Sequence, residues 1–162
     1  MSKVHLKQLT IRNFGPIEED NIYFEDYTYF VGRNNAGKSH YLQAIELLLT
    51  TKIPTKSEIV KMQRDKTKPI LIEGFFEGVE NFTSLISASN HKQSIDDSIK
   101  DGILKVARVL RSEEEAESEF GILQDNGAIH NPGGLAPNLL KVLPETISIL
   151  ATADTIDELK NT

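Results

Sequence analysis

Eight consecutive residues, from Gly32 to Ser39, follow the pattern G-x-x-x-x-G-K-[ST] at every fixed position. The glycines allow backbone N–H groups to point inward and to approach a triphosphate closely. We expect Lys38 to reach the β- and γ-phosphates and the Ser39 hydroxyl to ligate Mg²⁺. The pattern therefore predicts a nucleotide–Mg²⁺ site. Its phosphate-binding residues would be Gly32, Arg33, Asn34, Asn35, Ala36, Gly37, Lys38 and Ser39.

The residues on either side of this loop predict the strand and the helix that a phosphate-binding loop requires. The run 27–31, Tyr-Thr-Tyr-Phe-Val, is rich in aromatic and β-branched residues and predicts a buried strand. Residues 39–50 carry apolar side chains at helical spacing without glycine or proline, which predicts a helix. The start of that helix adds unpaired N–H groups and the positive end of its dipole. His40 lies on the first turn and is a candidate contact to a phosphate or a base.

The remaining sequence predicts further strands and short helices. Apolar residues alternate within 3–14, with a change of phase near Lys7-Gln8 that predicts a β-bulge. Predicted strands are 21–25, 69–78, 103–111, 119–124 and 146–150; predicted helices are 58–64, 79–89, 135–142 and 154–160; predicted loops are 90–102 and 112–119. Ser57 is the expected cap of the helix at 58–64, and 125–127 (Asp-Asn-Gly) predicts a turn. We expect an α/β P-loop NTPase fold, with a mixed sheet and an antiparallel hairpin layer around the helix that follows the loop.

The composition is that of one ordinary domain. Of its 162 residues, 39% are hydrophobic and 26% are charged, which is enough for a packed core. The chain has no cysteine, which excludes a disulfide framework and thiolate chemistry. No apolar run approaches the ~20 residues of a membrane span, and the start lacks a signal-peptide core, so we expect a cytoplasmic protein without membrane contact. The net charge of −6 argues against a broad nucleic-acid surface.

The sequence does not assign catalytic residues. Nucleotide hydrolysis needs an acidic pair after an apolar strand, one residue for Mg²⁺ and one to activate water. Asp154 lies three residues too far beyond the apolar run 147–150, and Asp125 follows a poor match at 120–124. The four histidines (His5, His40, His91, His130) show no metal-ligand spacing. The GTPase motifs D-x-x-G and [NT]-K-x-D and the Arg-rich lid of small kinases are also missing from the sequence.

One arrangement resembles a known family. Residues 11–17, Ile-Arg-Asn-Phe-Gly-Pro-Ile, are followed by a predicted strand pair and then by the loop at 32–39. This resembles the N-terminus of the SMC/RecF/OLD branch of ABC-type ATPases. In that branch a strand ends in an "NF" motif, a hairpin follows, and the loop has the form G-x-N-x-x-G-K-S. Asn34 holds the family's Asn position.

The resemblance also assigns expectations to residues outside the loop. It places Arg12 near the nucleotide and makes Gln124 a candidate for the family's Q-loop glutamine. Two positions depart from the pattern. Gly15 stands where several relatives have a basic residue, and His40 stands where a small residue is usual.

The resemblance implies that residues 1–162 are the N-terminal lobe of an ATPase that binds ATP and Mg²⁺. A C-terminal half of the same protein, or a partner subunit, would complete the lobe, with two ATPase domains forming a dimer. The isolated chain is then expected to hydrolyse little ATP. Family roles are DNA repair, chromosome organisation and, in the OLD branch, defence against phage; residues 13–17 lean toward that branch, and DNA would be bound through other regions. The alternatives are a non-hydrolysing regulatory or assembly module and a small P-loop kinase.

Overall fold

The computed structural model describes residues 3–26, 28–31, 38–87 and 89–145. Its centre is a six-stranded sheet with the strand order β2-β1-β3-β4-β5-β6. The strands are β1 (His5–Phe14), β2 (Ile17–Tyr23), β3 (Ile70–Glu77), β4 (Ile103–Leu110), β5 (Glu119–Leu123) and β6 (Ile129–His130). The α/β fold class is confirmed. Every pairing in the described residues is antiparallel, so the parallel pairing of the expected mixed sheet is not seen in this part.

The first hairpin, β1 and β2, lies at one side of the sheet, with β2 as the edge strand. The pairing of β1 with β3 shifts register between Leu6 and Gln8, which confirms the predicted bulge. β2 begins at Ile17, earlier than the predicted residue 21, because Phe14 and Ile17 already pair across a two-residue turn. The start of this strand is not predicted from the sequence, because residues 18–20 are acidic and interrupt the alternation of apolar residues. They are tolerated because an edge strand exposes much of its surface.

Helix α1 (Lys38–Leu49) packs on one face of this sheet, against β1, β3 and β4. Ala44 and Leu48 are its fully buried residues. Gly74 of β3 lies beneath Leu48, and a Cβ on Gly74 would lie 2.5 Å from Leu48 Cδ2. Because glycine has no side chain, α1 can approach the middle of the sheet closely at this point. The register puts Leu9 of β1 beside Gly74, so both lie on the face that α1 covers.

The described residues also form three short α-helices. They are α2 (Lys56–Met62), α3 (Ser89–Asp96) and α4 (Leu135–Leu140). The expected cap of α2 is wrong: Thr55, not Ser57, is the N-cap. Thr55 accepts a hydrogen bond from the Glu58 N–H, and the Glu58 side chain accepts one from the Thr55 N–H, which completes a capping box. The two reciprocal bonds decide the start of this helix.

Two further predictions are corrected by tertiary contacts. The sequence predicts a loop over 90–102, but the structure has α3 at the start of this stretch. The helix is mostly polar, and it is held to the protein by Ile95, which is completely buried. The predicted helix at 79–89 is replaced by two short 3₁₀ turns, Val79–Asn81 and Thr83–Leu85. Strand β6 was not predicted, and it is only two residues long.

The strand predicted at 27–31 is not present in the described part of that run, 28–31. Tyr29 is 82% exposed and Val31 is 90% exposed, which contradicts the expectation of a buried strand. Strand propensity reflects fit to a pleated, half-buried surface, and no neighbouring strand in the described residues pairs with this segment. The strand predicted at 146–150 and the helix predicted at 154–160 lie outside the described residues. None of the described helices has the length and apolar character needed to cross a membrane.

Candidate functional site

The predicted helix after the phosphate-binding loop is confirmed. Residues 32–37 lie outside the described part of the chain, and α1 begins at Lys38 directly after them. Ser39 is exposed on the first turn. The first N–H groups of a helix have no partner within it, and the first turn of α1 carries no acidic side chain that would offset the positive end of the dipole. The start of α1 is therefore suited to an anion.

An aromatic contact joins the two sides of the loop. Phe30, two residues before Gly32, stacks on Tyr41 of α1 with ring centroids 5.2 Å apart and planes 3° apart. Phe24 packs edge-on against Phe30 at 6.5 Å. The Tyr41 hydroxyl donates to Asp20 Oδ2 at 2.7 Å, and this bond raises the pKa of Tyr41. The chain that leads into the loop is thus held against the helix that leaves it, a contact that the sequence analysis missed.

His40 packs on the turn between β1 and β2. Its ring is edge-on to Phe14 with centroids 5.6 Å apart. Gly15 has φ +54°, and a Cβ there would lie 2.6 Å from His40 Nε2 and closer still to Cδ2. His40 Nδ1 is buried without a hydrogen-bond partner among the described residues. The two positions that depart from the family pattern are therefore in direct contact.

Arg12 lies on the other face of the sheet. The register places its neighbour Ile11 beside Ile72 on the face that α1 covers, so Arg12 points the opposite way. Its guanidinium donates to Glu19 at 2.9 Å and to Glu73 at 3.4 Å. The hydrogen bond to Glu19 is the main reason why the pKa of Arg12 is raised. This arrangement does not favour the expected nucleotide contact of Arg12, which stays a prediction.

Asn13 of the "NF" motif has a structural role that sequence reasoning did not find. Its backbone is left-handed, with φ +60°. Its Nδ2 donates to the carbonyl oxygens of Asp65 at 2.9 Å and Lys68 at 2.7 Å, and its Oδ1 accepts from the Asp65 N–H at 2.6 Å. Asparagine tolerates this backbone conformation better than most residues and supplies both donors and an acceptor. It therefore ties the end of β1 to the loop before β3.

The far end of α1 is held by a buried arginine. Arg108 of β4 is 2% exposed and donates through Nη2 to the carbonyl oxygen of Thr50, just beyond the end of α1. Burial lowers the pKa of Arg108 to about 10. Its guanidinium lies 4.5 Å from the centroid of the Phe120 ring. A cation at the carboxyl end of a helix complements the negative end of the helix dipole.

The described part of the chain contains no group of three or more His, Cys, Asp or Glu side chains that could hold a metal ion. Asp125 pairs with Lys100 and Lys105, and the hydrogen bond from Lys100 is the main cause of its lowered pKa. Gln124 belongs to the turn before β6, where its N–H donates to the carbonyl oxygen of Ala128. Asp154 lies outside the described residues.

A glycine-rich loop that leads into a helix on one face of a β-sheet defines the class of P-loop nucleotide-binding folds. Residues 5–133 match the AAA ATPase domain family, and the chain belongs to that family.

The chain is similar to two curated proteins and to a solved structure. It is 30% identical over 158 residues to the Old nuclease of Escherichia phage P2, a match that covers 96% of this chain and 26% of the nuclease. It is 33% identical over 113 residues to an uncharacterized protein of Methanocaldococcus jannaschii, covering 65% of this chain and 31% of that protein. The chain thus spans only about a quarter to a third of these relatives.

The solved structure comes from work on ATP-driven dimerization and DNA-stimulated activation of SMC ATPases. It matches with a TM-score of 0.57 and 15% identity over 98% of this chain and 92% of the other. This likeness shows the shared fold. The resemblance to an ATPase lobe of the SMC/RecF/OLD branch is confirmed.

Proposed function

We propose that this chain is the ATP-binding lobe of an SMC/OLD-like ATPase, and that residues 32–39 bind ATP with Mg²⁺. The observation that carries the proposal is the position of Lys38 and Ser39 on the first turn of α1, directly after the glycine-rich loop. Lys38 neutralises charge on the β- and γ-phosphates, and the Ser39 hydroxyl ligates Mg²⁺. The backbone N–H groups from Gly32 to Gly37 surround the phosphates. Arg12 remains a predicted nucleotide contact, whereas the described contacts of His40 are with Phe14 and Gly15.

Calorimetric titration with ATP and Mg²⁺ tests this site. Lys38→Ala should weaken ATP binding at least tenfold, because a charge-assisted contact to the phosphates is removed. Lys61→Ala, on the exposed surface of α2, is the matched control and should leave the affinity unchanged. Equal ATP affinity for the wild type and Lys38→Ala would remove the assignment.

We propose further that the active site is completed by a C-terminal half of the same protein or by a partner subunit, with a dimer of ATPase domains as the working form. The support is that the chain spans 26% of the Old nuclease, and that the solved structure with the same fold comes from work on ATP-driven dimerization of SMC ATPases.

Phosphate release measured on the chain alone and on the complete protein tests this second proposal. The chain alone should show turnover at background level, because water activation and stabilisation of the developing charge each contribute about two or more powers of ten in rate. The complete protein should hydrolyse ATP. Steady turnover by the chain alone that Lys38→Ala abolishes would show that an acid in this chain, with Asp125 and Asp154 the first to substitute, completes the site.

The biological role that these relationships favour is DNA processing, repair or defence against phage, in the cytoplasm. The support is the similarity to the Old nuclease of a phage and to SMC ATPases whose activation is described as DNA-stimulated. With a net charge of −6, the chain itself should bind random duplex DNA only weakly at physiological salt. A submicromolar dissociation constant for random duplex in ~0.15 M salt would contradict this expectation.

A non-hydrolysing module that uses nucleotide to order its loop is the second candidate. The hydrolysis assay on the complete protein separates the two functions. Membership of the AAA ATPase domain family favours the ATPase over a small kinase.

A further inference from the structure

We propose that Gly15 and His40 act as a matched pair that sets the position of the first turn of α1, which carries Lys38 and Ser39. His40 is a positioning residue in this proposal, acting through the packing of its ring. The proposal rests on nucleotide binding by residues 32–39. Its structural basis is the contact between the first turn of α1, which ends the loop, and the turn that joins β1 to β2.

The first step of the argument is steric. The Cδ2–Nε2 edge of the His40 ring occupies the space that a side chain at residue 15 would need, since an ideal Cβ there would lie 2.6 Å from Nε2. Cβ atoms are essentially never found within 3.0 Å of a non-bonded heavy atom. The edge-on contact with Phe14, which is fully buried, limits movement of the ring on that side. A side chain at residue 15 would therefore displace the His40 ring.

The second step concerns what the contact positions. Gly15 belongs to a turn that is fixed on both sides, by the pairing of Phe14 with Ile17 and by the hydrogen bond from its own N–H to the Met62 carbonyl oxygen at 2.7 Å. His40 follows Ser39 by one residue. In this proposal, displacement of the His40 ring shifts the start of α1, where the proposed phosphate and Mg²⁺ ligands Lys38 and Ser39 are.

The third step distinguishes packing from direct contact with the nucleotide. The contacts of the His40 ring are van der Waals contacts: it packs edge-on against Phe14 and lies close to Gly15. Its Nδ1 is buried and makes no hydrogen bond to another described residue. A phenyl ring is likewise flat and aromatic, and it lacks the ring nitrogens. His40→Phe should therefore keep the function of the pair.

The test is a double-mutant cycle between Gly15→Asn and His40→Ala, read by urea unfolding and by ATP titration at a temperature at which every variant is folded. Asparagine is chosen because it tolerates φ near +54° better than other side chains. Gly102→Asn is the matched control: Gly102 has φ +75°, and a Cβ there would meet nothing within 4 Å. Gly102→Asn therefore carries the energetic cost of a side chain at positive φ without a steric clash.

We expect Gly15→Asn to lower the urea midpoint more than Gly102→Asn does and to raise the ATP dissociation constant about tenfold or more. In the His40→Ala background, where the space is vacant, Gly15→Asn should change that constant less than about threefold. His40→Ala should weaken ATP binding by itself, and His40→Phe should restore affinity to within about threefold of the wild type. The effect of Gly102→Asn should be the same with and without His40.

Equal effects of Gly15→Asn with and without His40, or an effect no larger than that of Gly102→Asn, would overturn the pairing. A folded His40→Phe variant that binds ATP as weakly as His40→Ala would overturn the positioning role. If the wild type binds no ATP, the proposed function fails instead. The double-mutant cycle measured by urea unfolding then still decides whether Gly15 and His40 are energetically coupled.

Discussion

Phe30 and Tyr41 lie on opposite sides of the phosphate-binding loop, and their rings stack in parallel planes with centroids 5.2 Å apart. Ten residues lie between them in the chain, and the stacking contact holds the two ends of this segment together. Holding the ends reduces the conformational freedom that the loop must lose when it surrounds a ligand. The hydrogen bond from Tyr41 to Asp20 adds a tie to β2.

Substitution of Tyr41 tests this arrangement. Tyr41→Ala should weaken ATP binding about three- to tenfold, since an aromatic pair contributes ~0.5–1.5 kcal/mol beyond its buried area. Tyr41→Phe should keep the affinity, because it retains the stack, and should lower the free energy of unfolding by ~0.5–1.5 kcal/mol through loss of the hydrogen bond to Asp20. Fluorescence titration with a labelled nucleotide measures the first effect. Tyr23→Ala, at a 69% exposed tyrosine, is the control.

Arg108 should contribute to stability through its packing and through the carbonyl of Thr50. Arg108→Ala is expected to lower the free energy of unfolding by ~2–4 kcal/mol, because it leaves a cavity beside Phe120 and an unpaired carbonyl at the end of α1. Arg108→Met should lower it by only ~1 kcal/mol, because methionine fills the space and removes a charge that is costly to bury. Urea unfolding measures both values.

Arg64 supplies the matched control for this prediction. It is exposed and also donates to a backbone carbonyl, that of Pro16 at 3.0 Å. Arg64→Ala should change the free energy of unfolding by no more than ~0.5 kcal/mol. An equal decrease in the free energy of unfolding for Arg64→Ala and Arg108→Ala would show that the burial of Arg108 does not contribute to stability.

The capping box of α2 predicts different results at two neighbouring hydroxyl residues. Thr55→Ala should lower the free energy of unfolding by ~1 kcal/mol, because Thr55 accepts the Glu58 N–H that would otherwise be unpaired. Ser57→Ala should change it by less than ~0.5 kcal/mol, since Ser57 lies inside the helix and is exposed. Thermal unfolding of the two variants decides between them. A larger decrease in the free energy of unfolding for Ser57→Ala than for Thr55→Ala would show that Ser57 is the N-cap, as the sequence predicts.

Asp65 predicts a pH dependence of stability. Hydrogen bonds from the Thr67 hydroxyl, the Thr67 N–H and Lys68 lower the pKa of Asp65 from 3.8 to about 2. Because the pKa is lower in the folded than in the unfolded protein, the contribution of Asp65 is complete above pH 3.8 and is lost as the pH falls toward 2. Asp65→Asn should therefore flatten the decline of stability between pH 4 and pH 2, as measured by urea unfolding across that range.

Thr67→Ala provides an independent check on the same carboxylate. It removes the hydroxyl that donates to Asp65 Oδ1 at 2.7 Å and should reduce the same pH dependence in part. If the decline between pH 4 and pH 2 is as steep in both variants as in the wild type, other carboxylates cause it.

The sequence alone determined the elements whose pattern is complete within one segment. The alternation of apolar residues located β1, including its bulge, and the stronger runs located β3 and β4. The fixed spacing of G-x-x-x-x-G-K-[ST] placed Lys38 at the start of α1, because glycine spacing and helix periodicity are local properties. The candidate phosphate ligands could be named for the same reason.

Tertiary structure decided the features that depend on residues far apart in the chain. α3 has little periodicity of its own and is held by the burial of Ile95. The segment at 28–31 has strand-forming residues, but no strand in the described part of the chain pairs with it. The contact of Gly15 with His40 likewise joins residues whose proximity no local pattern encodes. Such contacts arise only when the whole sheet is assembled, because burial and steric exclusion depend on the surroundings of a residue and not on its neighbours in sequence.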